Sequence, residues 1–251
     1  MKARDLTREA ISREIKKVKK SLKEPVDTVR ILFSPTKINE DNLKEAAKIY
    51  GRIGRNDFDT VVVIESTPGE GDKKIPMSSH KFYKTTLGKV QADDRLRNDF
   101  CDEDDDFFID DEAFEEDLSL FDQLNVLQCV LEDFTALSIQ ITDEGNFIVK
   151  ELANALEEIL ISKNALIVVC CDLPDSDQFN PEKIWEMVKF GNQSGLLNFL
   201  NSDKDHPRGI GSFVAGLLVA KSWGLNLKFE SDPENSYFIA YAEMQKHAIF
   251  G

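Results

Sequence analysis

The chain carries few groups suited to building chemistry. It has three histidines, four cysteines and 46 carboxylates in 251 residues. His80, His206 and His247 do not share a helical i, i+4 spacing. A histidine-built transition-metal site needs two or three imidazoles supported by carboxylates or thiolates, so this set predicts none. Cys101, Cys129, Cys170 and Cys171 contain no Cys-x-x-Cys pair. Cys170 and Cys171 close an apolar run, where adjacent side chains face opposite ways. They read as reduced core thiols of a cytoplasmic protein. The run Asp102-Glu103-Asp104-Asp105-Asp106 offers hard oxygen ligands, but it lacks the glycine and distal glutamate of a calcium loop and reads as solvated. Gly69 and Gly71 lie in a loop without the Lys-Ser/Thr or G-x-G-x-x-G of a phosphate cradle. What remains for acid/base work is Asp172, Asp175, Asp205 and His206, on two loops that a fold could bring together.

Those loops belong to an α/β pattern. Short apolar β-branched runs, VRILF (29–33), TVVVI (60–64), ALSIQI (136–141) and ALIVVCC (165–171), alternate with helical periods. Asp41 or Asn42 is placed to cap a helix running through Arg52, with Gly54 ending it. Residues 118–132, 144–162 and a helix from Pro181 follow, and then an apolar helix around Phe213–Ala220. LNLKFE (225–230) and SYFIAYAEM (236–244) alternate with period two and predict a closing antiparallel pair. Residues 74–93 are less regular, with a turn at Gly88 and a short strand at Lys89–Ala92. The segment 98–117 is acidic with interleaved phenylalanines, so it predicts an excursion that packs its apolar residues and leaves its carboxylates in water. The expected organisation is an N-terminal helix over 1–24 packed on one α/β domain over 25–251. Its central sheet is mixed, mostly parallel and flanked by helices.

Composition removes several function classes. A net charge of −15 repels phosphate backbones and argues against nucleic-acid partners. No stretch approaches the ~18–20 apolar residues of a membrane span. The N-terminal MKARDLTREAISREIKKVKKSLKE has no apolar core of a secretory signal. In open α/β sheets ligands bind beyond the carboxyl ends of the strands. That places the expected crevice at 34–39, 65–71, 172–178 and 204–209.

The segment IPMSSHKFYKTTLGKVQAD (75–93) resembles a Tyr/Phe-x-Thr-Pro-Leu-Gly-x-Val-x-x-Asp signature of the Memo family, the protein B component of the AmmeMemoRadiSam grouping. Thr86 stands in place of the proline. SLFDQLNVLQ (119–128), VVCCDLPD (168–175), GIGSFVAGLLVAKSWGLNLKF (209–229) and NSYFIAYAEM extend the resemblance in order. It implies a fold similar to class III extradiol dioxygenases. The departures fall on chemistry. Thr36 stands in the segment matching Pro-His-Ala-Gly-Tyr, and Ser66-Thr67-Pro68-Gly69 match Pro-Ser-His-His. Leu118 and Gln123 match the two helix histidines, and Phe121 matches the glutamate between them. Asp205-His206 match the late Cys-Gly, while Asp172 is retained and Asp175 replaces a histidine.

By this resemblance the crevice is lined by Thr36, Ser66, Thr67, Pro68, Gly69, Gln123, Asp172 and Asp205. No metal and no cofactor are expected. The expected function is a metal-free, non-catalytic binding or scaffold protein with a protein or small-molecule partner. Two alternatives remain open. One is an enzyme using Asp172, Asp175, Asp205 and His206. The other is an acidic module that binds a basic partner through 98–117.

Overall fold

In a computed structural model of the chain, the described residues are 6–22, 29–55, 57–67, 74–103, 105–114, 118–173, 180–201, 206–230 and 238–244. Ten strands form one sheet. They are β1 (Val29–Ser34), β2 (Thr60–Ser66), β3 (Ile75–Met77), β4 (Phe82–Thr85), β5 (Gly88–Ala92), β6 (Phe107–Ile109), β7 (Thr135–Ile141), β8 (Ala165–Cys170), β9 (Asn226–Phe229) and β10 (Ala240–Glu243). The main path runs β4-β5-β7-β2-β8-β1-β10-β9, with β3 and β6 attached beside β7. β5, β7, β2, β8 and β1 are parallel neighbours, and the two ends of the path are antiparallel. β8 is central, and β1 and β2 flank it rather than pairing with each other.

Helices cover both faces, which is why the central strands are apolar on both sides. One face carries α1 (Arg8–Ser21), α2 (Leu43–Tyr50) and α4 (Leu120–Val130), packed on Leu32, Val61, Val63, Leu166 and Val168. The other carries α3 (Asp94–Glu103), α5 (Asn146–Leu160), α6 (Pro181–Lys189), α7 (Gln193–Leu200) and α8 (Ile210–Ser222), packed on Ile31, Phe33, Val62, Ile64, Ile167 and Val169. Cys170 and Cys171 do fall on opposite faces. α8 is buried almost all round because it lies directly on the sheet. A Cβ at Gly216 would come within 2.8 Å of Val169 and 2.9 Å of Phe33.

Several expectations shift. α2 stops at Tyr50, not Arg52, and Gly51 rather than Gly54 follows it. α1 crosses there, and a Cβ at Gly51 would lie 2.6 Å from Val18. Asn42 precedes α2 without capping it, because its amide is engaged with Asn39 N (2.8 Å) and Lys37 O (2.7 Å). Phe82–Thr85 is a strand, paired antiparallel to β5. Phe190 is 77 % exposed and faces away from the core. The acidic segment carries α3, β6 and a short 3-10 turn at Glu112–Phe114. Phe100 and Phe107 stack in the core with ring centroids 5.3 Å apart, and β6 pairs with β3. Asp104 and residues 115–117 lie outside the described residues.

Candidate functional site

At the carboxyl ends of the parallel strands the apolar alternation gives way to polar residues. The period-two rule then decides which face each one occupies. Ser34 of β1, Glu65 of β2, Ser138 and Gln140 of β7 and Cys170 of β8 share the face covered by α4. Ser66 of β2 points to the other face, where its hydroxyl lies 2.7 Å from Ser212 of α8. All of these side chains are buried.

Glu65 is fully buried. Its carboxylate accepts from the backbone N–H of Ser119 at 2.7 Å and of Leu120 at 3.3 Å, and from the Gln140 amide at 3.0 Å. Ser119 precedes α4 and does not cap it with its own side chain. The strand therefore supplies the acceptor that the helix lacks, and the negative charge sits at the positive end of the helix dipole. Gln140 in turn donates to Ser138 Oγ at 3.3 Å and accepts from Thr67 Oγ1 at 3.2 Å. The Ser119 hydroxyl is buried and makes no hydrogen bond among the described residues.

Gln123, one turn into α4, is also fully buried. Its Oε1 accepts from Ser34 Oγ at 3.0 Å and from the Tyr50 hydroxyl, and its Nε2 donates to Pro35 O at 2.9 Å. One amide thus ties β1, α2 and the loop after β1 to α4. Burial pushes the Tyr50 phenol well above its ordinary range, against a smaller opposing effect of Ser34. Beside it the Cys170 thiol is also held well above its usual value. Burial is the main cause, and nearby Glu65, Cys171 and Asp172 add to it. Neither group is a nucleophile near neutral pH.

Asp172 lies just beyond β8 and is exposed. Its carboxylate accepts from the Thr36 N–H at 3.0 Å and from the Thr36 hydroxyl. Its own N–H donates to Arg208 O at 3.0 Å, so the loop before α8 is tied to the end of β8. Gly209 makes this approach possible. It has φ +86°, and a Cβ there would lie 2.6 Å from Cys170 O. His206, half-buried, stacks on Phe199 with centroids 5.0 Å apart. Asp175, Asp205, Pro68 and Gly69 lie outside the described residues. Of the candidate acid/base residues only Asp172 and His206 are placed. Of the candidate lining residues, Thr36, Ser66 and Gln123 are buried, Thr67 is half-buried and Asp172 is exposed.

A metal centre of the kind implied by the sequence resemblance does not fit this donor set. Leu118 offers no ligand atom and is buried among apolar residues, as is the half-buried Phe121 beside it. The Gln123 carbonyl oxygen already accepts from two hydroxyls, and Asp172 is engaged by Thr36. Among the described residues no cluster of three or more His, Cys, Asp or Glu is arranged to hold a metal ion. Sequence reasoning missed Glu65. Its signal was a single carboxylate closing the apolar run Val61–Ile64, where burial demands donors.

Comparison with known proteins follows this geometry. No curated protein matches the chain. Among solved structures, the uncharacterized protein JW3007 from Escherichia coli K12 is similar in fold. Its TM-score is 0.54 at 15 % identity, over 85 % of this chain and 99 % of that one. The Memo-like protein family model matches residues 6–205. The chain belongs to the Memo-like family.

Proposed function

We propose that this chain is a metal-free, non-catalytic Memo-like protein that acts by binding. The observation that carries this reading is the state of Gln123. It occupies the position where the resemblance implies a histidine, and its amide is consumed as a structural tie. Asp172, the strand-end carboxylate that the resemblance retains, is likewise held by the backbone N–H and hydroxyl of Thr36. The four free cysteines suit a reducing cytoplasm. No described helix is long and apolar enough to cross a membrane. Elemental analysis of the purified protein, with calorimetric titration of iron(II), copper(II) and zinc(II), tests the proposal. The expected result is no stoichiometric metal. One equivalent bound with a dissociation constant well below micromolar would overturn it.

A further inference from the structure

α1 is cationic on an anionic protein. It holds six basic residues against two acidic ones, in a chain whose net charge is −15. Its apolar face is already used, since Ile11 and Ile15 are buried where α1 packs on α2 and α4. The helix is also fixed in place. Arg8 donates to Gln128 O at 3.1 Å and to Leu87 O at 3.3 Å, joining α1 to α4 and to the turn of the β4–β5 hairpin.

The outward face presents Arg13, Lys16, Lys17 and Lys20, all exposed. Arg13 and Lys17 share one carboxylate, Glu14, at 3.2 and 2.8 Å. Lys16 and Lys20 pair with no carboxylate among the described residues. The protein therefore has abundant acid elsewhere, yet leaves this face positive. Of the acidic segment, Phe100 and Phe107 pack into the opposite face of the sheet, while Phe114 packs into the cluster on the α1 face.

We propose that the outward face of α1 docks an extended acidic segment of a different protein. Membrane insertion is unavailable because the apolar side of the helix is spent on the core. A nucleic acid would carry its phosphates past the ends of α1 over the acidic remainder of the chain, whereas a short peptide confines its charge to the helix. A second copy would join unlike patches head to tail, giving a ring or an open chain of subunits rather than a two-fold dimer. From Arg8 to Lys20 the helix runs about 18 Å, which an extended segment of about six residues spans. This inference is independent of the metal-free reading of the crevice, and neither test depends on the other.

The test uses the full-length protein and a fluorescent oligoglutamate peptide in low salt. Binding is expected to weaken by about tenfold or more in the Lys16→Glu/Lys17→Glu/Lys20→Glu variant. It should be retained when the same three residues become arginine. Circular dichroism checks that both variants keep the fold. Failure of the peptide to bind, or binding unchanged by charge reversal, overturns the proposal. Tighter binding of single-stranded RNA, or of phosphatidylserine vesicles, than of the peptide overturns it in favour of that ligand. A salt-sensitive rise in mass with protein concentration that charge reversal abolishes would assign the face to a second copy, and would also overturn it.

Discussion

Replacing Gln123 by leucine is the sharpest test of how the site is held together. The substitution keeps the side chain near its volume but removes one amide that makes three hydrogen bonds. The hydroxyls of Ser34 and Tyr50 and the carbonyl of Pro35 would be stranded in a place with no solvent, since Gln123, Ser34 and Tyr50 are fully buried. At about 1 kcal/mol for each lost bond the cost is about 3 kcal/mol. For a chain of this size that lowers the melting temperature by about 6–12 °C. Thermal denaturation followed by circular dichroism reads it directly. Exposed Gln91 changed to leucine is the control, expected within about 0.5 kcal/mol of the parent. The Gln123→Glu variant sharpens the test. It keeps an acceptor for the two hydroxyls but sets an oxygen against Pro35 O, which favours the protonated acid. Its folded-state pKa is then raised above the unfolded value. Stability should be nearest the parent at acid pH and fall as pH rises past the ordinary carboxyl range of about 4.3. A Gln123→Leu melting temperature within about 2 °C of the parent would refute the account of Gln123 as a tie. So would a Gln123→Glu variant whose relative stability ignores pH.

Other outcomes follow from the same geometry. Glu65→Leu should cost about 3–5 kcal/mol in urea denaturation, because it strands two backbone N–H groups of α4 and the Gln140 amide; a loss below about 1 kcal/mol would contradict the buried contact. Gly209→Ala should destabilise by at least about 1–3 kcal/mol, since φ is +86° and a Cβ would meet Cys170 O at 2.6 Å; an unchanged denaturation midpoint would show that the loop can relax. Burial holds the Cys170 and Cys171 thiols well above the usual range, so they stay protonated at mildly alkaline pH. Of the four thiols, Ellman's reagent should reach only the half-buried Cys101 and Cys129 in native protein, and all four after denaturation. Rapid reaction of every thiol in native protein would place Cys170 and Cys171 at the surface.

The fold was legible where one physical signal dominated. The runs at Val61–Ile64 and Leu166–Val169 are apolar on both faces, and only a central strand buries both. α5 follows from its helical period, α8 from a run of small and apolar residues all round, and Pro181 marks the start of α6 because its missing N–H costs nothing there. The misses came where a remote neighbour decides. α2 ends at Tyr50 because α1 passes over Gly51, a contact between segments far apart in sequence. Phe82–Thr85 reads as irregular because its pattern is too short to show a period, yet pairing with β5 makes it a strand. At the strand ends the sequence shows which residues are polar but not what they touch. What Glu65 binds follows only from α4, which brings its unpaired N–H groups down onto β2.

That contact has a bearing on which small molecules the crevice could accept. Proteins with this type of sheet commonly hold phosphates and carboxylates on helix N-termini beyond the strand ends. Here Glu65 occupies that end of α4, and Glu144 accepts from the Gly211 N–H in the first turn of α8 at 3.0 Å. The protein has in effect supplied its own anions. A phosphorylated metabolite arriving at either helix would have to displace a tethered carboxylate and tolerate its charge. A ligand screen against this crevice is therefore best stocked with neutral and cationic compounds, with nucleotides and sugar phosphates as the negative set.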